Sequence, residues 1–354
     1  MTANYKQLTL AREYSSISQS ELSSNIKGLS QSTLSKFEKG IGQLAEKTIK
    51  DIADYLGFPL SFFHKDISIK IENTHYRKRS HVGVKDINKL EATLAMIADV
   101  IDSMSKEIDF PIYSLGFYNT ENGFSPEKIA EFVRKKMGLK YNEPVKDIIQ
   151  LIESSGVVIY ELNTNIDSFD GVSLISNMGI PLIVINKNMP NDRKRFTLSH
   201  ELGHIIMHLS PDFMVSSYRN KEVEANAFAA EFLMPTDAIA NSLCDLKISY
   251  LSELKRYWHT SMASIIVKAK SLGCISNDRY KYILIEMSRM GYRTNEPIEV
   301  PIDKPQIITE AYSLYKNHLS YTENELSNIF SLPISFMTEL FNKNNNKLKL
   351  KIIN

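Results

Sequence analysis

The segment FTLSHELGHIIMH carries two histidines and a glutamate in the order His200, Glu201, His204. Residues four positions apart lie on one face of a helix, so both imidazoles can bind a single Zn²⁺. Glu201 lies beside them and can take a proton from a zinc-bound water, whose pKa the metal lowers to about 7. The spacing therefore predicts a zinc site with hydrolytic chemistry.

A third ligand is expected on the next helix, because catalytic zinc takes three protein ligands and leaves one position open. The segment KEVEANAFAAEFLMP begins with Glu222 and Glu224, and either carboxylate could complete the site. Glu222 is favoured, since Asn226 and small residues share its helix face and would let the two helices approach closely. Asn226 is then expected to hydrogen-bond the outer nitrogen of a liganding histidine.

Other polar residues near this motif receive less specific predictions. His208 follows His204 by one turn and is expected to be a packed or half-exposed histidine rather than a ligand. The run Arg193, Lys194, Arg195 is expected to be a solvated helix start, in which one arginine could brace an acidic group such as Asp170.

The elements that must position these residues are predicted from periodicity. Short runs rich in branched residues at 157–160, 172–175 and 180–185 predict a small sheet, and helices are expected at 193–208 and 221–233. The strand at 180–185 is expected to be the sheet edge, which would bind an extended peptide through backbone pairing. An amphipathic helix at 85–108 follows a basic patch at 76–79 and is expected to connect two units.

The first 66 residues predict a helix-turn-helix unit. Ser18 can cap one helix, Gly28 supplies the turn, and Ser30 can cap a second helix from Gln31 to about Lys39. The side chains expected to face DNA are polar. They are Gln31, Ser32, Ser35 and Lys36 on the second helix, with Gln19 placed to brace a phosphate or to pair with Gln31.

Bulk composition gives little evidence of partners or location. The net charge of +1 provides no whole-molecule attraction to nucleic acid or to a membrane, so any such contact must be local. The two cysteines, Cys244 and Cys274, are too few for a disulfide framework. The start of the sequence lacks the apolar core of a signal peptide, and no run is long enough to span a membrane. We therefore expect a soluble, cytoplasmic protein without a membrane partner.

Several motifs together resemble the ImmA/IrrE family of metallopeptidases, fused to a helix-turn-helix of the XRE family. The resemblance rests on SQSTLSKFEKG, FDGVSLI, IPLIVIN, RKRFTLSHELGHIIMH, EVEANAFAAEFLMP, LKRYWHTSMASIIVKAKSLGCIS and MGYRTNEP. Ser199 departs from the alanine usual in the family, and Tyr218 is a candidate for stabilising a transition state. Trp258 and residues 261–272 resemble a second helix-turn-helix, although packing around the tryptophan is the favoured role.

The resemblance implies zinc on His200, His204 and Glu222, with Glu201 as general base, in a gluzincin-like fold. It also implies a DNA-bound repressor protein as the substrate, cleaved to release transcription. The alternative is a DNA-binding repressor or antitoxin-like regulator whose zinc domain senses and cuts little. Double-stranded DNA, bound through residues 1–66, is the second expected partner, and another copy of the chain is a further candidate.

The predicted fold class is α+β and mostly helical. Residues 1–66 are assigned to the helix-turn-helix domain, and residues 67–125 to the basic patch, the long connecting helix and a linker. Residues 126–240 are assigned to a zincin-like metallopeptidase domain with a small sheet, and residues 241–354 to a helical C-terminal region.

Overall fold

A computed structural model describes residues 3–65, 83–166, 168–213, 215–216, 218–244 and 246–341. The predicted basic patch at 76–79 and the Lys/Asn-rich segment at 343–354 lie outside these residues. Within them the chain is mostly helical and contains one small sheet, which confirms the predicted fold class.

The N-terminal unit consists of four helices, and serine side chains fix where two of them begin. Ser18 accepts a hydrogen bond from the Glu21 backbone N–H at 3.1 Å, and Ser30 accepts one from Thr33 at 3.1 Å. Gly28 has a φ of +82°, a left-handed conformation that favours glycine at this turn. The four helices are α1 Tyr5–Tyr14, α2 Gln19–Asn25, α3 Gln31–Glu38 and α4 Glu46–Leu56.

The predicted connecting helix, α5 Val84–Met104, belongs to the core. Leu94, Met96 and Ile101 are fully or almost fully buried. This helix is therefore part of the core and not only the connection between two units that its amphipathic pattern predicted. Its apolar side chains join a cluster that includes Leu8 and Phe62 of the N-terminal unit. We call this cluster the lower core.

The sheet contains β1 Val158–Leu162, β2 Gly171–Ile175 and β3 Pro181–Asn186 in the order β1-β3-β2. β3 pairs parallel to β1 and antiparallel to β2, with Ser173 opposite Ile183. The prediction that the third strand forms the edge was therefore wrong. Every residue of β3 is buried, because an apolar cluster covers each of its faces and β1 and β2 pair with its two edges. Among the described residues, β2 is paired on one side only.

The sheet separates the lower core from a second apolar cluster. Leu182 and Val184 face the lower core, whereas Ile183 and Ile185 face the other cluster, as strand alternation requires. We call this second cluster the upper core. It is built mainly by helices on the far side of the sheet. They are α6 Pro126–Lys136, α7 Ile148–Ser154, α8 Asn191–His208, α9 Lys221–Leu233, α10 Thr236–Leu243, α11 Ile248–Trp258, α12 Met262–Ser271 and α13 Asn277–Arg289.

The helices α11 and α12 form the segment that resembles a second helix-turn-helix. His259 turns the chain between them with a φ of 53°, and Ser261 caps α12. Trp258, Ile265 and Ile266 are buried in the upper core, so α12 uses its apolar face for packing. This agrees with the favoured packing role.

The last described helices return to the lower core. They are α14 Ile307–Ser313, α15 Glu323–Phe330 and α16 Ile334–Phe341. Asp303 accepts hydrogen bonds from the backbone N–H groups of Ile149 and Gln150, at the start of α7. In return, Glu153 of α7 accepts hydrogen bonds from Gln306 and Ile307, at the start of α14. Each helix therefore has its N-terminus capped by an acidic side chain from the other's segment.

No helix among the described residues is both long enough and apolar enough to cross a membrane. The lower core includes residues from all four predicted segments. The division of the chain into four domains stays a prediction.

Candidate functional site

The helix α8 carries the H-E-x-x-H motif and is anchored at its start by three basic side chains. Arg193 contacts both carboxylate oxygens of Asp170 at 2.7 and 2.8 Å, the partner predicted for it. Lys194 is buried and pairs with Glu161 at 2.6 Å. Arg195 is fully buried, and its guanidinium donates to several backbone carbonyl groups, including that of His259 at 2.9 Å. The predicted solvated helix start is therefore wrong for Lys194 and Arg195, whose charges are buried with partners.

Three side chains from α8 and α9 bring their ligand atoms together. The Nε2 atoms of His200 and His204 lie 3.0 Å apart. Glu222 places Oε1 2.9 Å from His204 Nε2 and Oε2 3.4 Å from His200 Nε2. Among the described residues, this is the group of histidine and acidic side chains placed to hold a metal ion.

The outer nitrogens of these histidines are already engaged. The Asn226 Oδ1 atom lies 3.0 Å from His200 Nδ1. An amide oxygen can only accept, so His200 carries its proton on Nδ1 and leaves the Nε2 lone pair facing His204 and Glu222. Burial lowers the pKa of His204 to about 4, which keeps this imidazole neutral as metal binding requires. Two imidazole nitrogens and a carboxylate are the donor set of a catalytic zinc site, so these residues fit that ion.

The charge on Glu222 suits a cation. Burial opposes ionisation of this carboxyl, but its close contacts with the His200 and His204 imidazoles more than offset the effect and lower its pKa. A carboxylate facing two nitrogen lone pairs is stable only with a proton or a metal ion between them.

Glu201 points from α8 toward the edge strand β2. It is buried, and its carboxylate accepts a hydrogen bond from Ser173 Oγ at 2.7 Å. The Ser173 backbone N–H also donates to it. Burial raises the pKa of Glu201, while His200 and Ser173 act in the opposite direction. Ser173 was not predicted, because strand β2 gives no sequence signal for a contact with a residue 28 positions away.

Glu224, the alternative ligand, lies away from the metal group. Its Oε2 atom is 3.0 Å from His208 Nε2, and its Oε1 atom accepts from Arg219 Nε at 2.5 Å. The Nδ1 atom of His208 is in turn 3.0 Å from His204 Nδ1. His208 is buried as predicted, but it contacts a candidate ligand directly. Its position one turn after His204 was the signal that could have identified this contact.

Tyr218 shows no sign of belonging to this group. It is 82% exposed, on the segment between α8 and α9.

The predicted DNA-facing residues lie on one surface of the N-terminal unit. Gln31, Ser32 and Lys36 are exposed on α3, and Ser35 is half-buried. The Gln31 amide donates to Gln19 Oε1 at 3.0 Å, which is the pairing expected from the sequence.

Comparison with known proteins identifies two parts of the chain. Residues 152–270 match the model of peptidase family M78, described as the IrrE N-terminal-like domain. Residues 9–63 match a helix-turn-helix model. The predicted resemblance is confirmed. The chain thus combines a peptidase-family domain with a helix-turn-helix domain, and both histidines of the motif and Glu222 lie within the peptidase match.

One curated relative comes from a phage. Over 59 residues the chain is 44% identical to the uncharacterized immunity region protein 2 of Bacillus phage phi105. The match covers 15% of this chain and 37% of the phage protein, so it spans little more than a third of that relative's length.

Proposed function

We propose that this chain is a zinc-dependent endopeptidase that regulates transcription by site-specific cleavage of a repressor protein. The observation that carries the proposal is the position of Glu201. A buried carboxylate lies beside a three-residue metal group but is held by Ser173 rather than by that group. A purely structural zinc site needs no such base.

In this proposal His200, His204 and Glu222 hold the zinc. The ion, when bound, polarises the scissile carbonyl and makes a nearby water more acidic. Glu201 takes the proton from the attacking water and delivers it to the leaving amine. Ser173 holds the carboxylate in place through its hydroxyl and its backbone N–H.

The edge strand β2 favours a polypeptide substrate. Its Ser173 lies directly against Glu201, and one side of this strand has no strand partner among the described residues. An extended peptide could pair with that edge and place its backbone next to the base. In this proposal the peptide-binding edge of the sheet, predicted for the third strand, is therefore β2.

The regulatory part of the proposal rests on the second domain. A helix-turn-helix domain supports binding to double-stranded DNA, and a peptidase domain supports a protein substrate. The resemblance to a phage immunity-region protein supports a regulatory role, and a repressor is the substrate that we propose for it. Cleavage would then remove the repressor from its operator.

The proposed role of Glu201 as general base can be tested by substitution. Glu201→Gln keeps the size of the side chain but removes the proton acceptor, so we expect zinc binding to persist and cleavage to fall by at least about a hundredfold. The zinc-loaded protein is incubated with the repressors encoded beside its gene, and the products are identified by mass spectrometry. Glu131→Gln, on the exposed face of α6, is the matched control and should cut normally.

The opposite result favours the sensor alternative. If Glu201→Gln still derepresses the target genes like the wild type, peptide cleavage is not how the chain regulates them.

A further inference from the structure

A line of buried contacts leads away from His204 on the side opposite the metal group. His204 Nδ1 lies 3.0 Å from His208 Nδ1, and His208 Nε2 lies 3.0 Å from Glu224 Oε2. The side chains of His204 and His208 are 2% and 0% exposed, so water does not compete for these bonds.

The chemistry of the contacts fixes where the protons lie. Glu224 forms an ion pair with Arg219, whose Nε lies 2.5 Å from Oε1, and its other oxygen, Oε2, faces His208. A carboxylate only accepts, so His208 carries its proton on Nε2 and offers the Nδ1 lone pair to His204. His204 must then carry its proton on Nδ1, which leaves its Nε2 lone pair for the metal.

We propose that His208 and Glu224 form a positioning relay that holds His204 in the tautomer and orientation needed to bind zinc. The inference rests on the proposed zinc function and adds two residues to it. Neither belongs to the group of three side chains placed to hold the metal. His208 uses both ring nitrogens for His204 and Glu224, and Glu224 points toward Arg219.

The outer end of the relay is fixed by a segment that precedes the matched peptidase domain. Thr120 Oγ1 donates to Glu224 Oε2 at 3.3 Å, and the neighbouring Glu121 accepts from the Ser216 backbone N–H at 3.2 Å. The Tyr118 backbone N–H donates to the Ile206 carbonyl of α8 at 2.9 Å. Residues 118–121 therefore hold both the C-terminal end of α8 and the carboxylate of Glu224, although they lie outside the family match at 152–270.

This arrangement explains why two acidic residues occur so close together on α9. Glu222 faces the metal group, and Glu224 faces the outer nitrogen of His208. Val223 between them is 59% exposed. The two carboxylates thus act on His204 from opposite ends of its ring, one directly and one through His208.

The test measures zinc affinity of the full chain by competition with a chelating dye. Outer partners of metal-bound histidines typically contribute about 10- to 100-fold in metal affinity. We therefore expect His208→Ala to weaken zinc binding by about that factor. His208→Asn should recover part of the loss, because its amide oxygen can occupy the position of Nδ1. The visible spectrum of the Co²⁺-loaded protein should shift in His208→Ala and return toward wild type in His208→Asn.

Val223→Ala is the matched control on the same turn of α9, and its zinc affinity and Co²⁺ spectrum should equal those of the wild type. If His208→Ala does not fold, the comparison of His208→Asn with Glu224→Ala decides, since Glu224→Ala should also weaken zinc binding. Zinc affinity within twofold of wild type and an unchanged Co²⁺ spectrum in the folded relay variants would overturn the relay alone. A wild-type chain that binds no zinc overturns the relay and the proposed zinc function together.

Discussion

Gln31 is a predicted DNA-facing side chain whose position is fixed by hydrogen bonds to other residues of the N-terminal unit. Its amide donates to Gln19, and the Gln19 amide donates to Glu38 Oε2 at 2.7 Å. Glu38 is itself held by Arg12 of α1, with Nε and Oε1 2.6 Å apart. Gln31 is thus oriented in the absence of DNA, which would lower the entropy lost if it contacts a base edge as predicted.

A prediction follows for DNA binding by the full chain. Gln31→Ala should weaken binding to the chain's own promoter DNA by about 1–3 kcal/mol, the range for a lost base contact. Lys36→Ala should weaken binding to all sequences alike and reduce the slope of log affinity against log salt by about one. Titrations by fluorescence anisotropy at several salt concentrations measure both effects.

Lys50→Ala removes the same charge from an exposed position on α4 and serves as the control. Equal binding of wild type and Gln31→Ala to promoter DNA, at every salt concentration, would remove Gln31 from the predicted interface.

At the residue scale, the sequence predicts contacts that follow helix periodicity. His200 and His204 share one face of α8, and Glu222 and Asn226 share one face of α9, because residues four apart lie on the same side of a helix. The contact of Ser173 with Glu201 and that of Glu224 with His208 join separate elements. No periodicity relates these pairs, so only the fold could reveal them.

The edge strand β2 and the helix α8 approach so closely that glycine is needed between them. A Cβ atom on Gly171 would lie 2.6 Å from Thr197 Cγ2 and 3.2 Å from the Val184 carbonyl oxygen. The strand that carries Ser173 is therefore placed against Glu201 by the absence of a side chain two residues earlier.

A double variant tests this contact. Gly171→Ala should push β2 away from α8, lower the free energy of unfolding by about 1–3 kcal/mol, and reduce any cleavage activity more than zinc affinity. Thr197→Ser removes the clashing methyl group, so Gly171→Ala with Thr197→Ser should recover much of the stability lost by Gly171→Ala. Urea unfolding of the four proteins gives the coupling energy. Additive effects of the two substitutions would contradict the proposed clash.

At the element scale, sequence reasoning located the strands more reliably than their order. The runs at 172–175 and 180–185 lie within a residue or so of β2 and β3. Their pairing depends on which neighbours cover them, and a run of apolar residues does not by itself distinguish a central strand from a buried edge strand. The helix at 221–233 was predicted to its last residue, because Pro235 excludes a longer one.

Hydrogen bonds between segments far apart in sequence stabilise the whole molecule. The mutual capping of α7 and α14 is one example. Glu153 is 4% exposed, and burial raises its pKa to about 7, although hydrogen bonds from the backbone N–H groups of Gln306, Ile307 and Ile159 act against this. The folded state therefore binds a proton on Glu153 more tightly than the unfolded state does, since the pKa of this carboxyl in the unfolded chain is near its ordinary value of 4.5.

This difference predicts a pH-dependent stability. The contribution of Glu153 is fully present below about pH 4.5 and is lost as the pH rises through about 7. Glu153→Gln has no such titration, so the wild-type free energy of unfolding, minus that of Glu153→Gln, should fall by on the order of 2 kcal/mol between pH 5 and 8. Denaturant unfolding at each pH measures it.

Glu131→Gln on exposed α6 is the control, and its difference from wild type should change little with pH. A difference for Glu153→Gln that stays constant or grows with pH would contradict the raised pKa.

The role of α5 was the main feature of the whole molecule that the sequence did not predict. Its apolar stripe was recognised, but a stripe does not show which elements cover it. The units that α5 joins lie far apart in sequence. Ser61 of the N-terminal unit, for example, contacts Ser331 at 2.9 Å. Contacts across 270 residues are fixed by tertiary packing rather than by local pattern.

The shared lower core also has a consequence for events on DNA. Because α3, α5 and the sheet are packed through one apolar cluster, the predicted DNA-facing surface and the edge strand β2 share one core. If the chain binds a duplex and cuts a repressor as proposed, the edge of β2 would face a fixed direction around the helix axis. A repressor on a neighbouring site would then be presented correctly only at certain rotational phases, which recur about every 10.5 base pairs.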